Sequence, residues 1–291
     1  MKRLLYLAAL ALTVLTSCKS DEAVVEPKHV ENIEDVEDGA GTLQNTSESG
    51  AFVAGEYVKY NFKKDAAKLI FQMMFPAGYD QDALPAGKAK LPVYIHLHGS
   101  GNKGTDNTMQ IDNNIARRLQ SEQAQYPSIA IFPQTNNSWS STHFNLLHDV
   151  ITLFAGRGIV DMERIYLSGQ SLGGIGTFSF LAAYPELFAA AMPVCGNGDP
   201  ETVKNWAPHT SLWVFHGDKD PTVPVNGSRK IANELERLNY TLLRLKATPV
   251  ADQVMTYDYI YSEYPGVEHN SWMQAFKEPD LLKWVFSKKV R

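Results

Sequence analysis

The sequence is short of cysteine, of excess positive charge and of long apolar runs, and each shortage excludes something. Only two cysteines, Cys18 and Cys195, occur in 291 residues. Lys and Arg number 27 against 32 Asp and Glu, a formal charge of −5 that offers nothing to a phosphate backbone, so nucleic acid is not an expected partner. The apolar run Leu4 to Leu15, interrupted by Tyr6 and Thr13, is too short to span a bilayer. No internal repeat is present, and no low-complexity tract follows residue 50. What remains is 44% apolar and 20% charged residues, which rules out wholesale disorder and coiled coil. The length fits one large α/β unit with a sizeable core.

Lys2 and Arg3 ahead of the apolar run mark residues 1–18 as a secretory signal. Its end, Leu15-Thr16-Ser17-Cys18, resembles a bacterial lipobox. That resemblance implies lipidation of Cys18 and a membrane anchor made of acyl chains. Cys195 is then a lone thiol, and no intrachain disulfide is expected. It follows the apolar run Ala189 to Val194 and reads as a small buried residue at a strand end. Residues 19–50 carry nine acids against Lys19 and Lys28 and no aromatic residue, so an acidic disordered tether is expected there. Lys19-Ser20-Asp21-Glu22 also resembles the surface-export signals of some Gram-negative lipoproteins. The expected location is the cell envelope, lipid-anchored at the outer membrane; the export-signal resemblance implies surface exposure, with a plain solvated spacer as the alternative. With the tether set aside, residues 51–291 are formally neutral. The acidity describes a leash and says nothing of a substrate.

From residue 51 the pattern changes. Glu56–Phe62 alternates, and Lys68–Phe75 makes a second early strand. Unalternating apolar runs follow at Pro92–Leu97, Ser128–Phe132, Arg164–Ser168, Ala189–Val194 and Ser211–Phe215, with a tyrosine-rich run at Met255–Tyr261. Helical stretches lie between them, near 107–120, 143–156, 172–184, 225–239 and 279–288. Buried strands alternating with helices predict an α/β fold with a doubly wound, mostly parallel sheet, in one catalytic domain over residues 51–291.

Gly169-Gln170-Ser171-Leu172-Gly173 matches G-x-S-x-G directly between a predicted strand and a predicted helix. A serine on such a turn has its hydroxyl exposed above the sheet, and the following helix N-terminus favours developing negative charge. A free serine is a poor nucleophile and needs a base, itself oriented by a carboxylate. In chain order the acid comes next. Asp220, in the loop after Trp213–Gly217, is the candidate, with Asp218 as its rival, more suited to a turn. The base comes last, and His269 sits on the loop after the final strand. His216 precedes the acid, so the order argues against it. His96 and His98 share one strand face, yet no third or fourth ligand follows at a zinc-like spacing, and no metal is expected. Two backbone N–H donors are needed where the oxyanion forms. Leu172 supplies one, and Ser100, with Gly101 as alternative, supplies the other. Gly99-Ser100-Gly101-Asn102-Lys103-Gly104 also satisfies G-x-G-x-x-G, but neither the helix nor the downstream acid of a dinucleotide site follows, so no cofactor is expected. Gln170, Trp139 and Trp272 are candidates for the substrate pocket, each tryptophan having packing as its alternative role.

Taken together, His96-Leu97-His98-Gly99-Ser100-Gly101, Phe132-Pro133-Gln134, Trp139, the Ser171 pentapeptide, Pro193-Val194-Cys195-Gly196, Phe215-His216-Gly217 with Asp220, and Gly266 with His269-Asn270-Ser271-Trp272 resemble the α/β-hydrolase superfamily. The likeness is to its bacterial esterase and predicted-peptidase branch, related to feruloyl esterases and polyhydroxybutyrate depolymerases. It covers roughly residues 55–288, with Leu172 where relatives often carry Met. It implies a carboxylic-ester hydrolase with Ser171 as nucleophile, Asp220 as acid and His269 as base. Acetylated or feruloylated polysaccharide is the implied substrate class. A prolyl-oligopeptidase-type serine peptidase and a non-catalytic glycan-binding lipoprotein are the alternatives.

Overall fold

Period-two alternation along buried strands puts neighbouring side chains into two separate cores. In the computed structural model, which describes residues 36–38, 41–80, 89–111, 113–246, 248–249 and 252–291, this is what organises the molecule. Strands β1 (Val36–Asp38), β2 (Gly41–Asn45), β3 (Val58–Lys64), β4 (Ala67–Met74), β5 (Leu91–Leu97), β6 (Ile129–Gln134), β7 (Val160–Gln170), β8 (Ala190–Val194), β9 (Ser211–Gly217), β10 (Leu242–Leu245) and β11 (Tyr259–Tyr264) form one sheet. Their order is β1-β2-β3-β4-β6-β5-β7-β8-β9-β11-β10. From β1 through β4 to β6 the pairing is antiparallel. From β6 to β10 every pair is parallel.

The helices are α1 (Asn114–Ser121), α2 (Ser141–Gly156), α3 (Leu172–Ala183), α4 (Val203–Trp206), α5 (Asn226–Arg237), α6 (Trp272–Ala275) and α7 (Leu281–Phe286). Val93, Ile95, Leu212 and Val214 face a core shared with Phe144 and Leu147 of α2, Phe180 of α3 and Ile231 of α5. Tyr94, Trp213 and Phe215 face the opposite core, with Ile115 and Leu119 of α1 and Leu281 and Trp284 of α7. The sheet is thus wound on both faces, as the apolar runs predict. All described residues belong to one compact unit, Glu31–Arg291. Among them no helix is long and apolar enough to cross a membrane. The signal and Cys18 lie outside the described residues.

The expected domain boundary at residue 51 is corrected. Gly41–Asn45, placed by composition in a disordered tether, is a strand paired with β3, with Leu43 opposite Phe62 and wholly buried. The physical reason is local: Gly41 has φ +128°, and a Cβ there would lie 2.5 Å from the Phe62 ring. Only glycine lets this chain lie flat on that ring. Leu43→Ala is therefore expected to cost about 3 kcal/mol. Urea unfolding checks this, and an unchanged midpoint would place the strand outside the cooperative unit.

Two further expectations shift. Gln253–Thr256 is a 3₁₀ turn, so the last central strand starts later, at Tyr259. The half-buried edge strand β10 was not anticipated.

Candidate active site

β7 carries the chain straight to Ser171, and α3 begins at the next residue. Ser171 has φ +55° and ψ −115°, a conformation that costs a non-glycine residue on the order of 1–3 kcal/mol. Packing imposes it. A Cβ on Gly173 would stand 1.8 Å from the Leu97 carbonyl oxygen, and one on Gly169 would stand 2.2 Å from that of Gly173. The helix start is thereby seated against the end of β5, and the Ser171 N–H donates to Val194 O at 2.9 Å.

The three residues expected to act together meet. Ser171 Oγ lies 2.7 Å from His269 Nε2 and donates to it. His269 Nδ1 lies 2.7 Å from Asp220 Oδ2, whose side chain is wholly buried. Asp220 Oδ1 accepts from the backbone N–H of Thr222 at 2.8 Å and of Val223 at 2.9 Å. Burial acts to raise the Asp220 pKa, but the His269 hydrogen bond and these two N–H groups outweigh it, leaving the carboxyl below its usual range. Asp218, the rival acid, is a turn residue: its Oδ1 accepts from Gly266 N at 2.6 Å. That bond and Lys219 N to Val267 O at 3.0 Å tie the acid-bearing loop to the base-bearing loop. Gly217 permits the seam, since a Cβ there would be 2.2 Å from Val267 O.

Ser100 opens a 3₁₀ turn, Ser100–Asn102, and is exposed. It follows Gly99, where a Cβ would lie 3.2 Å from Gln170 O and 3.5 Å from Ser171 Cβ. The loop is pinned from beneath. His98 Nδ1 donates to Gly99 O at 2.8 Å, and its Nε2 accepts from Thr135 N at 3.1 Å. Gln134, buried at the end of β6, donates to Asn102 O at 3.3 Å and to Asp106 Oδ1 at 2.8 Å. Leu172, half-buried, starts α3, where the first N–H groups have no partner within the helix.

Trp139 takes the packing role, its alternative to substrate contact. It is buried, and its indole N–H donates to His98 O at 3.1 Å. Its ring packs tilted against His98, with centroids 4.9 Å apart, and against Gly176, so it supports the Gly99–Ser100 loop. Trp272 is half-buried, with its ring edge-on to His269 at 5.5 Å. Gln170 is buried beside Gly99, and its Oε1 has no hydrogen-bond partner among the described residues.

His96 and His98 have different neighbours. His96 packs on Phe132 and Phe276, bonds Ser168 Oγ at 2.8 Å, and is pushed by burial down to about 3. Cys195 is buried at the end of β8, as expected, with φ +41°. Burial pushes its thiol up to about 12. Its sulfur lies with ligand atoms of Asp220 and His269 within 4.8 Å of one another, the latter two already hydrogen-bonded together. Two clefts open at the other end of β5, both reaching Leu91; one of 390 Å³ is lined by Pro76, Tyr79, Gln123 and Ile159. Neither includes any of the three.

The fold of a solved thermostable esterase is similar to this one over 80% of the chain and 63% of that protein's length, with a TM-score of 0.64 and 28% identity. The fold is that of the α/β-hydrolases. The feruloyl esterase module of Clostridium thermocellum, solved with sinapinate, aligns over 80% of this chain and 88% of its own, with a TM-score of 0.56 and 14% identity. Residues 134–213, which contain Ser171, match the prolyl oligopeptidase family. An uncharacterized secreted protein of Arthroderma benhamiae is 30% identical over 139 residues, which is 43% of this chain and 14% of that protein. The chain therefore spans about one-seventh of that relative's length.

Proposed function

We propose that this chain is a serine hydrolase that cleaves carboxylic esters through an acyl-enzyme on Ser171. The observation that carries the reading is the unbroken line from Ser171 Oγ through His269 to the buried Asp220, two contacts of 2.7 Å each. His269 Nε2 takes the hydroxyl proton as Oγ attacks the ester carbonyl. The charge that appears on the carbonyl oxygen is met by the N–H groups of Leu172 and Ser100, each donor worth about 3 kcal/mol in the transition state. The imidazolium then protonates the leaving alcohol. Water repeats the sequence on the acyl-enzyme and releases the acid.

The substrate class we propose is acetylated or feruloylated polysaccharide. Exposed Met273 adjoins Trp272, and exposed Met109 is tied through its carbonyl to Asn102 of the Ser100 turn at 2.8 Å. They add exposed apolar surface to the two loops that carry Ser100 and Trp272, suited to an aromatic or acetyl group. The likeness to the thermostable esterase supports ester chemistry, and a Cys18-anchored enzyme would meet external polymers. The prolyl oligopeptidase match of residues 134–213 supports a second reading, a serine peptidase.

A fluorophosphonate probe on residues 31–291, beside Ser171→Ala, tests the reading. Labelling of the parent alone is expected, and an unlabelled parent would remove both enzyme readings. Methyl ferulate, p-nitrophenyl acetate, acetyl-xylan and proline-linked peptides then separate ester from peptide cleavage. The full chain is expected in the membrane fraction; recovery as soluble protein would contradict the anchor.

A further inference from the structure

His216 was set aside as the base because it precedes the acid in the chain, yet it reaches that acid. It is the next-to-last residue of β9, is wholly buried, and its Nε2 lies 2.9 Å from Val223 O and 3.2 Å from Asp220 Oδ2. Both neighbours are acceptors, so Nε2 must carry the proton. On the other side Nδ1 lies 2.7 Å from Ser228 Oγ of α5, which is also 3.2 Å from Gly196 O.

We propose that His216 is a positioning residue of the triad, donating its Nε2 proton to Val223 O and Asp220 Oδ2 and thereby setting the aim and the basicity of the acid. The proposal rests on the reading of Ser171, His269 and Asp220 as a hydrolytic triad. Burial lowers the His216 pKa, more than the Val223 and Asp220 acceptors restore it, so the ring is neutral near pH 7. Neutral and protonated at Nε2, the ring turns its Nδ1 lone pair to the Ser228 hydroxyl, whose one proton is shared between Nδ1 at 2.7 Å and Gly196 O at 3.2 Å. The surroundings fix one tautomer.

The consequence for Asp220 is complete saturation. Oδ1 takes two backbone N–H groups, and Oδ2 faces two imidazoles. A carboxylate has about four lone-pair sites. His216 also holds Val223, whose own N–H holds Asp220, so one ring fixes both the carboxylate and the loop that presents it. The other titratable groups nearby are accounted for. Cys195, from the end of β8, is a neutral thiol. Glu263 of β11, opposite His216 in the register, is engaged by two 2.8 Å bonds from Arg229 of α5. Asp218 is bonded to Gly266, while Lys219 and Glu268 flank the seam.

The sign of the effect follows. A donor to the ionised carboxylate stabilises it and keeps Asp220 a weak base. Without that donor Asp220 holds the His269 imidazolium more tightly. Only neutral His269 can accept the Ser171 proton, so the acid limb of the kcat/KM profile moves to higher pH. On the full chain, His216→Leu is expected to shift that limb up by about half a pH unit and to lower kcat about tenfold, while His216→Gln, which keeps an N–H near the Nε2 position, restores most of both. Histidine ¹⁵N NMR of the unaltered chain at pH 7 reads the tautomer directly and does not depend on any variant folding; Nε2–H is expected for His216. A charged or Nδ1–H ring overturns the proposal. So does an acid limb unmoved in a His216→Leu chain that still labels with fluorophosphonate. An unlabelled parent overturns the triad reading itself, and the two failures are told apart in that way.

Discussion

Ser171→Ala is expected to lower kcat on any ester substrate by about 10⁶-fold while leaving the thermal unfolding midpoint close to that of the parent. The loss is large because, in the proposed mechanism, the removed atom is the one that forms the covalent bond. What persists is the approximately 10³-fold or greater acceleration that oxyanion donors and binding give without a nucleophile. Stability should hold because the strain at this position is in the backbone. A φ of +55° is set by the contacts of Gly169 and Gly173, and alanine bears it as serine does.

His269→Ala is expected to cost nearly as much, and the double variant no more than either single one, since the pair acts as a unit. Asp220→Asn extends the argument. In the native site one carboxylate oxygen faces two backbone N–H donors and the other faces two imidazoles. An asparagine must turn its NH₂ toward one of those pairs. Either orientation sets donor against donor, so a fall of about 10⁴-fold is expected. Steady-state assays with p-nitrophenyl acetate measure all four variants. Retention of one per cent of activity in Ser171→Ala would end the case for this nucleophile.

How much of this was legible beforehand depended on how local the determining interaction is. The turn at Ser171 is specified by glycines within two residues of it, so the motif alone was informative. Asp220 and Asp218 could not be separated that way. What distinguishes them is a bond from Gly266, far along the chain, to one carboxylate and from His269 to the other. Composition averaged over residues 19–50 hid β2, because a five-residue strand with Leu43 as its single apolar side chain hardly changes the mean. Tyrosine content suggested a strand starting at Met255. The turn at Gln253–Thr256 delays it, and the ladder forms where Tyr259 meets Leu212. Trp139 shows the limit for side chains. Sequence placed an aromatic near the site, while only the position of the His98 carbonyl shows that its N–H holds a loop.

Gly173→Ala is expected to abolish the native fold, at a cost on the order of 5 kcal/mol or more. The added methyl carbon would lie 1.8 Å from the Leu97 carbonyl oxygen, 2.6 Å from its carbon and 2.8 Å from the His98 carbonyl oxygen. All three are backbone atoms at the end of a central strand, so no rotamer change relieves the overlap. Either α3 lifts off the sheet or β5 gives up its pairing with β7. The first opens the core at Phe178 and Phe180, and the second breaks the middle of the sheet. Gly101 is the internal control. It lies in the neighbouring glycine-rich loop of residues 99–104, yet among the described residues a Cβ there meets nothing within 4 Å. Gly101→Ala is expected to leave the unfolding midpoint within a few degrees of the parent, since a surface change away from packed contacts is worth under about 0.5 kcal/mol. Circular dichroism of the two purified variants decides it. A Gly173→Ala chain that melts cooperatively at the parental temperature would mean that the helix does not need to sit against β5. The close seating that brings the Leu172 N–H beside Ser171 would then lose its structural cause.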